Sequence, residues 1–215
     1  MTIKKNDFVE IEYTGKTKDE NFVFDTTEEK TAKASGIHNP EAKYGPAIIC
    51  VGQQHVLAGI DKHLEGKGLG EFTLTLRPEE AFGKKNAKLI QLIPTTKFHQ
   101  QKIQPQPGLQ VNIDGHIGVV KTVTGGRTLV DFNHPLSGKE VIYTIKIKRM
   151  VTDKKEQLNA VLKMRLGIHD ANIELQDNKA KITIKQDLPK EIQEHLAKEI
   201  KEQIPLQTIE WVKQK

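Results

Sequence analysis

Apolar and polar residues alternate along the first part of the chain in the pattern of a β-sheet with one solvent-facing side. Residues 9–13 alternate in this way, which predicts a half-buried strand with Tyr13 pointing inward. The same alternation recurs over residues 72–76 and 141–150. Over residues 56–64 the apolar spacing changes to that of a helix, which a glycine then closes. The pattern predicts an α+β body, an antiparallel sheet with one short helix.

The segment between the first strand and this helix is predicted to be mostly loop. A short second strand ends at Asp25, and strict alternation places Phe24 and Asp25 on opposite faces of it. Residues 26–47 are polar and carry several glycines and prolines, which is typical of a long loop. Residues 48–51 form a short apolar strand.

Residues 84–131 have a different pattern from the sequence on either side. Two turn dipeptides, Asp114-Gly115 and Gly125-Gly126, separate apolar segments and predict two hairpins. The segment opens with the apolar residues 89–93 and continues with a polar stretch rich in glutamine and proline. We expect a small β subdomain inserted into the α+β body, which then consists of residues 1–83 plus 132–151.

A third domain is predicted over residues 152–215. Its first helix begins with a capping-box pattern at Asp153 and stops at Gly167. A turn at Asp177-Asn178 joins two strands, Pro189 opens a second helix, and a last strand follows. The expected order is α-β-β-α-β.

The composition is that of a water-soluble protein kept in a reducing compartment. The 215 residues are 36% hydrophobic and 28% charged, and the mean hydropathy is −0.52. The apolar runs are too short to span a bilayer, and the first residues do not resemble a signal peptide. Cys50 is the single cysteine, so no internal disulfide can form. We therefore expect a cytoplasmic protein with no membrane partner.

The net charge of +5 is unevenly divided along the chain. Residues 1–83 carry a net charge of −4, residues 84–131 carry +5, and residues 132–215 carry +4. The basic side chains occur singly along the predicted strands and helices instead of in clusters. This favours a solvated surface over a binding site for a polyanion.

The sequence contains no recognisable metal or cofactor motif. The eight histidines lack the spacing of metal ligands, and Cys50 is interpreted as a small core residue. Nucleophile elbows, phosphate loops and dinucleotide fingerprints are also missing. We expect neither a metal nor a cofactor, and any catalysis must proceed without covalent or redox chemistry.

The aromatic residues and several short motifs are concentrated in the α+β body. Nine of the eleven aromatic residues lie in residues 1–83 and 132–151, which indicates one aromatic core or cavity there. In order and spacing the motifs resemble the FKBP-type peptidyl-prolyl cis-trans isomerases. These motifs are Tyr13-Thr14-Gly15, Phe24-Asp25, Val51-Gly52, Val56-Leu57-Ala58-Gly59 and Ala81-Phe82-Gly83. Residues 132–138, which follow the insertion, resemble the SlyD-like branch, whose inserted flap subdomain is a chaperone module. The C-terminal extension resembles the long form found in archaea.

This resemblance implies an FKBP-like fold and a proline-binding pocket that accelerates X-Pro isomerisation. The positions that match the family's pocket are Tyr13, Phe24, Asp25, Val56, Leu57, Ile60, Phe82 and Tyr143, with His134 and Leu136 near the rim. Ile60 stands where the family often has tryptophan, and Phe82 stands where it usually has tyrosine, which puts the binding of drug-like inhibitors in doubt. The metal-binding tail of many SlyD-like proteins is missing from this sequence. The alternative interpretation is that each of these residues is simply part of the core.

The chemistry of such a pocket is physically reasonable. Rotation about an X-Pro bond has a barrier of about 18–20 kcal/mol, and twisting the amide reduces its charge separation. A dry apolar pocket therefore favours the twisted state over the planar one. Asp25 is the one carboxylate in this set, expected to orient the twisted carbonyl or to hold a neighbouring side chain, and the Leu57 N–H is a candidate donor to a substrate carbonyl.

The insert carries more aliphatic residues than so small a unit can easily bury. An exposed aliphatic patch would suit unfolded or proline-containing polypeptides and would raise their concentration at the pocket. The candidate substrate-binding residues are Leu89, Ile90, Leu92, Ile93, Val111, Ile117 and Val119. The alternative interpretation is a packed mini-domain with no binding role.

A rival class of function is a non-catalytic module whose basic insert and C-terminal domain dock on RNA or the ribosome. The C-terminal element order is similar to that of small RNA-binding folds, but a Gly-x-x-Gly loop and an aromatic stacking face are missing. Nucleic-acid binding is therefore the less favoured interpretation. The C-terminal domain is also a candidate for homodimerisation.

Overall fold

The computed structural model describes residues 2–169 and 171–213. Its contacts divide the chain into two compact units. The first comprises Met1–Leu76 and Val141–Lys215, and the second comprises Arg77–Glu140. In the part of the chain that is described, no helix is long and apolar enough to cross a membrane.

The first unit contains a five-stranded antiparallel sheet. Its strands are β1 (Phe8–Thr17), β2 (Val23–Thr26), β3 (Ala47–Cys50), β4 (Gly70–Leu76) and β9 (Val141–Met150). The order across the sheet is β2-β1-β9-β4, and β3 pairs with the other end of β1. Buried and more exposed positions alternate along much of β1 and β9, and this explains why the sequence pattern predicts the sheet.

Two helices accompany this sheet. The first, α1 (Glu29–Ala34), lies within the segment predicted as loop, and the second is α2 (Ala58–Leu64), which buries Ile60 and Leu64. The predicted α+β class with an antiparallel sheet and few helices is confirmed. The prediction of an uninterrupted loop over residues 26–47 is wrong at α1, which buries only Ala32 and so leaves no helical apolar pattern in the sequence.

The C-terminal part of the first unit has its own small sheet and two helices. The elements are α4 (Lys154–Leu166), β10 (Asn172–Gln176), β11 (Lys179–Ile184), α5 (Lys190–Gln203) and β12 (Thr208–Lys213). Strand β11 pairs antiparallel with β10 and parallel with β12. The Asp153 carboxylate accepts a hydrogen bond from the Glu156 N–H at 2.8 Å, and Gly167 ends α4 in the left-handed conformation.

One hydrophobic core joins these C-terminal elements to the five-stranded sheet. Phe8 and Cys50 from that sheet are buried in the same cluster as Leu158, Val161 and Leu162 of α4. Burial raises the pKa of the Cys50 thiol to about 12, so the thiol is protonated at neutral pH.

The second unit is built on a four-stranded antiparallel sheet. Its elements are β5 (Ile90–Pro94), α3 (Thr95–Gln100), β6 (Gln110–Ile113), β7 (His116–Thr124) and β8 (Arg127–Asp131). The strand order is β5-β8-β7-β6. Single turns of 3₁₀ helix at Pro78–Glu80 and Ala87–Leu89 precede the sheet.

Both predicted hairpins of the insert are confirmed. The β6–β7 turn is made by Asp114 and Gly115 and the β7–β8 turn by Gly125 and Gly126, all with positive φ. Helix α3 was not expected, because Phe98 is its only buried residue. One face of the sheet is closed by a small core of Ile93, Phe98, Val111, Val120 and Val130.

Candidate functional site

The candidate site begins with a row of residues that crosses three neighbouring strands. Asp25 on β2 lies opposite Gly15 on β1, and Gly15 lies opposite Tyr143 on β9. Residues directly opposite each other in an antiparallel pair project from the same face of the sheet. Tyr13, two residues before Gly15, projects from this face as well. The sheet register therefore brings Tyr13 and Asp25 together with Tyr143, which is more than a hundred positions away in the sequence.

A bulge adds Phe24 to this group. The pairing between β1 and β2 shifts between Gly15 and Lys16, so that Asp25 pairs with Gly15 whereas Val23 pairs with Lys16. The extra residue is Phe24, and a bulge re-aims a side chain that strict alternation would send to the other face. The prediction that Phe24 and Asp25 point to opposite faces is thus wrong, because the strand is not regular here.

Phe24 packs edge to face on Tyr143, and Tyr13 packs on the same ring at a tilt. The ring centroids of Phe24 and Tyr143 are 5.8 Å apart with an interplanar angle of 79°, and those of Tyr13 and Tyr143 are 5.9 Å apart at 57°. Both arrangements fall within the range of favourable aromatic contacts. Tyr143 is 2% exposed, whereas Phe24 and Tyr13 are half-buried. The cluster thus has a buried ring at its base and two accessible rings beside it.

Gly15 makes this packing possible. A Cβ atom at Gly15 would lie 2.7 Å from Cε1 and Cζ of Tyr143 and 3.0 Å from Cζ of Phe24. These distances are shorter than real Cβ contacts, so the rings occupy the space that a side chain would need. Gly15 was not among the predicted site residues, although its place two residues after Tyr13 is a signal that could have found it.

The Tyr13 hydroxyl and the Asp25 carboxylate interact within the cluster, and each shifts the pKa of the other. Burial raises the pKa of Asp25 above its ordinary value, while hydrogen bonds from Tyr13 and from the Thr26 N–H oppose that rise. Burial and the charge of Asp25 raise the pKa of Tyr13 to about 12. Burial, together with Asp25 and Tyr13, also raises the pKa of Tyr143. Both tyrosines therefore remain protonated at neutral pH.

The predicted pocket residues Val56, Leu57 and Ile60 lie together at the start of α2. Ile60 is 2% exposed, and Val56 and Leu57 are half-buried. Leu57 is the N-cap residue of α2, a position whose N–H has no partner within the helix. This N-cap position of the Leu57 N–H is compatible with its expected role as a donor to a substrate carbonyl.

Two side chains that the sequence did not single out hold this segment at both ends. Asp61, which follows Ile60, is 5% exposed and accepts hydrogen bonds from the N–H groups of Gly52 at 2.7 Å and Gln54 at 2.8 Å. His55, which precedes Val56, is buried, and its Nδ1 accepts a hydrogen bond from the Cys50 N–H at 3.1 Å. Both residues therefore tie the Val56–Ile60 segment to the turn before it.

The C-terminal elements also reach this turn. An Arg165 nitrogen donates to the Gln53 carbonyl at 3.4 Å, and the same guanidinium pairs with Glu199 of α5 at 2.5 Å. Sequence reasoning had no signal for the contact between Arg165 and Gln53, because the two residues lie 112 positions apart.

We expect His55 to make the stability of the first unit depend on pH. Burial lowers the pKa of His55 below its ordinary value, and only the neutral ring can accept the Cys50 N–H at Nδ1. The unfolded chain therefore binds a proton more readily than the folded chain. We expect the free energy of unfolding to fall as the pH drops below about 6.5. Urea unfolding at about pH 7.5 and about pH 5.5 measures this fall.

The matched variant for this measurement is His55→Asn, whose amide oxygen keeps an acceptor near Nδ1 without titrating. It is expected to lose less stability on acidification than the wild type. His195→Asn, which changes an exposed histidine on α5, is the control and is expected to behave as the wild type. Equal acid sensitivity of the wild type and His55→Asn would contradict the role of His55.

The remaining predicted pocket residues, Phe82, His134 and Leu136, belong to the second unit. The rings of Phe82 and His134 are stacked, with centroids 4.9 Å apart and an interplanar angle of 2°. The Leu136 N–H donates to His134 Nδ1 at 3.2 Å, and the Ser137 hydroxyl donates to the Phe82 carbonyl at 3.0 Å. These contacts form one ordered loop cluster within that unit.

The predicted binding residues of the insert divide into two groups. Ile93 and Val111 are 7% and 5% exposed, and they form part of the small core. For these two the prediction of a binding role is wrong, because a buried side chain offers no surface to a partner. The other five are half-buried or exposed, and they are Leu89, Ile90, Leu92, Ile117 and Val119.

The exposed aliphatic residues lie on the open face and at one end of the insert sheet. Leu92 is 59% exposed and pairs with Leu129 on β8, whereas Ile117 is 61% exposed on β7. A groove of about 370 Å³ is lined by Leu89, Ile113, Ile117 and Phe132, together with Gln91, Asp114 and His116. In residues 2–169 and 171–213, no group of three or more His, Cys, Asp or Glu side chains could hold a metal ion.

Comparison with known proteins places the chain in a family. It is 35% identical over 147 residues to a short-type peptidyl-prolyl cis-trans isomerase of Methanocaldococcus jannaschii, a match that covers 68% of this chain and 92% of the relative. A probable FKBP-type 16 kDa peptidyl-prolyl cis-trans isomerase of Pseudomonas fluorescens is 35% identical over 47% of this chain and 71% of its own length. A SlyD isomerase of Haemophilus influenzae is 28% identical over 68% of this chain and 72% of its own length.

Residues 91–136 match the family described as the FKBP26 IF domain. These relatives define an isomerase of prolyl peptide bonds. The chain belongs to the FKBP-type peptidyl-prolyl cis-trans isomerases, as the motifs predict, and SlyD proteins are among its relatives.

Proposed function

We propose that the cluster of Tyr13, Phe24, Asp25 and Tyr143, with the Val56–Ile60 segment, is the site at which this isomerase acts on proline peptides. The observation that supports it is the packing of the Tyr13 and Phe24 rings on Tyr143, in the sheet register that also places Asp25 on this face. No residue of this group is an activated nucleophile or a metal ligand. The site acts by binding and polarity alone.

The proposed mechanism is preferential binding of the twisted amide. A planar X-Pro amide separates charge between its oxygen and nitrogen, and this separation weakens as the bond rotates. Apolar walls solvate the twisted amide relatively better than the planar one, which lowers the barrier. Water in the same place would favour the planar state, so the aromatic rings contribute by excluding it.

Asp25 acts through Tyr13 in this proposal. A carboxylate can only accept hydrogen bonds, so it cannot bind a substrate carbonyl oxygen directly. Of the two roles expected for Asp25, the contacts therefore favour holding a neighbouring side chain over orienting the twisted carbonyl. The interaction of the Tyr13 hydroxyl with Asp25 holds the Tyr13 ring in one position. In that position the ring borders the space where proline would bind. The free N–H of Leu57 is then the donor to a substrate carbonyl.

Replacing Asp25 with alanine is expected to lower kcat/KM about ten- to hundredfold, the effect of a charge-assisted hydrogen bond worth about 1.5–3 kcal/mol. Tyr13→Phe removes the same bond from its other end. If the two residues act as a pair, the double variant is no slower than Asp25→Ala alone. A protease-free prolyl-peptide assay measures the rates, and unchanged rates in Asp25→Ala would remove this site assignment.

Tyr143 needs a milder substitution than alanine. At 2% exposure, Tyr143→Ala leaves a cavity that costs about 3–5 kcal/mol, so loss of activity could not be separated from loss of stability. The suitable variant for an activity measurement is therefore Tyr143→Phe. This variant keeps the ring and removes only the hydroxyl.

We further propose that residues 84–131 form a chaperone insert that binds unfolded polypeptide, and that the isomerase accelerates proline-limited folding of the bound chain. The support comes from the exposed Leu92 and Ile117 and from the groove that Ile117 lines together with Leu89 and Phe132. A chain held on the insert presents its prolines to the isomerase at a raised effective concentration. The proposed organisation has three domains. Residues 1–83 plus 132–151 form the isomerase domain, residues 84–131 form the chaperone insert, and residues 152–215 form the C-terminal domain.

Two further expectations remain proposals. The C-terminal part is our candidate for homodimerisation, supported by the exposed Ile192 and Met164 on its helices. The buried and protonated thiol of Cys50 is compatible with a cytoplasmic location. The relatives reported above are isomerases by name, so the alternative of a non-catalytic RNA-binding module has no support.

A further inference from the structure

The insert holds the entire net positive charge of the chain. Residues 84–131 contain seven basic and two acidic side chains, whereas the rest of the sequence contains 26 of each. The net charge of +5 is therefore a property of this one segment. This is the segment that also exposes Leu92 and Ile117.

Most of these cations have no carboxylate partner. Lys84 pairs with Glu79 at 2.7 Å and Lys85 pairs with Asp131 at 3.4 Å. The other five are exposed and make no ion pair within the described ranges; they are Lys88, Lys97, Lys102, Lys121 and Arg127.

The acidic side chains of the insert do little to offset them. Asp131 is 6% exposed, and its carboxylate accepts hydrogen bonds from the Asn133 N–H at 2.9 Å and the Asn133 side-chain amide at 2.8 Å, besides the ion pair with Lys85. Asp114 lines the groove and is the one exposed carboxylate of residues 84–131 in the described structure. The insert surface is therefore positive as well as aliphatic.

Three of the unpaired cations are close in sequence to aliphatic residues of the insert. Lys88 directly precedes Leu89, which lines the groove, and Lys121 follows Val119 by two positions on β7. Arg127 begins β8 two residues before Leu129. A chain lying across the exposed aliphatic residues therefore passes within reach of long basic side chains on more than one strand.

We propose that the insert selects unfolded polypeptide segments in which aliphatic residues are interspersed with Asp or Glu. This inference rests on the proposed chaperone function and adds a substrate class to it. Aliphatic contacts provide binding to the sheet, and the unpaired cations discriminate by charge. A nucleic acid fits less well, because its bases stack on exposed aromatic rings, whereas Phe98 of the insert is 2% exposed.

Three labelled peptides of about twelve residues test the proposal, with identical Leu and Val positions and with Glu, Gln or Lys at the positions between them. Fluorescence anisotropy with the full chain gives the Kd of each. At about 0.02 M ionic strength we expect the Glu peptide to bind about five- to tenfold more tightly than the Gln peptide, and the Lys peptide to bind most weakly. At about 0.3 M the three values are expected to agree within about twofold.

Charge variants locate the effect. The triple variant Lys88→Gln, Lys121→Gln and Arg127→Gln is expected to lose the preference for Glu over Gln at low ionic strength. The control removes three exposed cations from the first unit, with Lys62→Gln, Lys198→Gln and Lys201→Gln, and is expected to keep the preference. Loss of the preference in both variants would overturn the assignment to the insert.

The remaining outcomes separate this proposal from the chaperone function. Equal affinity for the three peptides at low ionic strength overturns the charge preference and leaves the chaperone function standing. Failure of all three peptides to bind overturns the chaperone function and this proposal with it. An oligouridine that binds more tightly than the Glu peptide and displaces it shows a general polyanion site and also overturns the proposal.

Discussion

Replacing Gly15 with alanine is expected to reduce kcat/KM for a short prolyl peptide at least about tenfold and to destabilise the protein by about 1–3 kcal/mol, the usual range for overpacking. The added methyl group would lie 2.7 Å from the Tyr143 ring and 3.0 Å from Phe24. The two rings cannot both keep their places. Since the Tyr13–Asp25 pair packs against the same Tyr143 ring, the whole cluster is displaced.

A matched steric variant separates the loss of activity in Gly15→Ala from its loss of stability. Gly118 in the insert is equally crowded, since a Cβ atom there would lie 2.6 Å from Val130 and 2.7 Å from Phe132. Gly118→Ala is expected to lose a similar amount of stability in urea unfolding, while short-peptide kcat/KM stays within about twofold of the wild type. Near-ultraviolet circular dichroism would report the displaced tyrosines in Gly15→Ala.

Two results would contradict the prediction for Gly15→Ala. Unchanged kcat/KM in Gly15→Ala would mean that the aromatic cluster is not the reacting pocket. A parallel loss of activity in Gly118→Ala would mean that reduced stability, and not the displaced rings, explains the effect.

The residues of the proposed site were visible in the sequence, whereas those that position them were not. Tyr13, Asp25 and Tyr143 stand in recognisable motifs or strand patterns, and the register brings them together. The supporting contacts of Asp61 and His55 depend on backbone N–H groups of a tight turn. The pattern of polar and apolar residues does not predict which side chain accepts a hydrogen bond from which backbone amide. Such contacts are seen only in the structure.

The wrong predictions share a physical cause. Alternation assumes a regular strand, and the bulge at Phe24 breaks that assumption at the proposed site; bulges are common next to active sites. Helices α1 and α3 each bury a single residue, Ala32 and Phe98, so no apolar period marks them. Composition alone predicted an aliphatic surface on the insert, but it could not tell which residues, such as Ile93, form its core.

Deleting residues 85–130 is expected to leave short-peptide kcat/KM within about threefold of the wild type and to reduce catalysis of refolding of an unfolded protein by at least about tenfold. The physical reason is that a short peptide gains nothing from a second binding surface, whereas tethering a long chain raises its apparent affinity by about 10²–10⁴. The ends of the deletion can be rejoined within the second unit. In the intact chain the N–H of Asn86, at the start of the deleted segment, donates to the Asn133 side chain at 2.8 Å, so the two ends of the deletion lie close together.

Point variants test the same prediction without deleting the insert. Leu92→Gln with Ile117→Gln removes the two most exposed aliphatic side chains of the insert and is expected to reproduce most of the loss in refolding catalysis. Leu69→Gln, at a residue 57% exposed in the first unit, is the matched control and is expected to act as the wild type. If the deletion lowers both activities equally, the insert contributes to the chemical step and is not a separate holding surface. If refolding catalysis survives the deletion, the exposed aliphatic residues of the insert have no part in presenting the substrate.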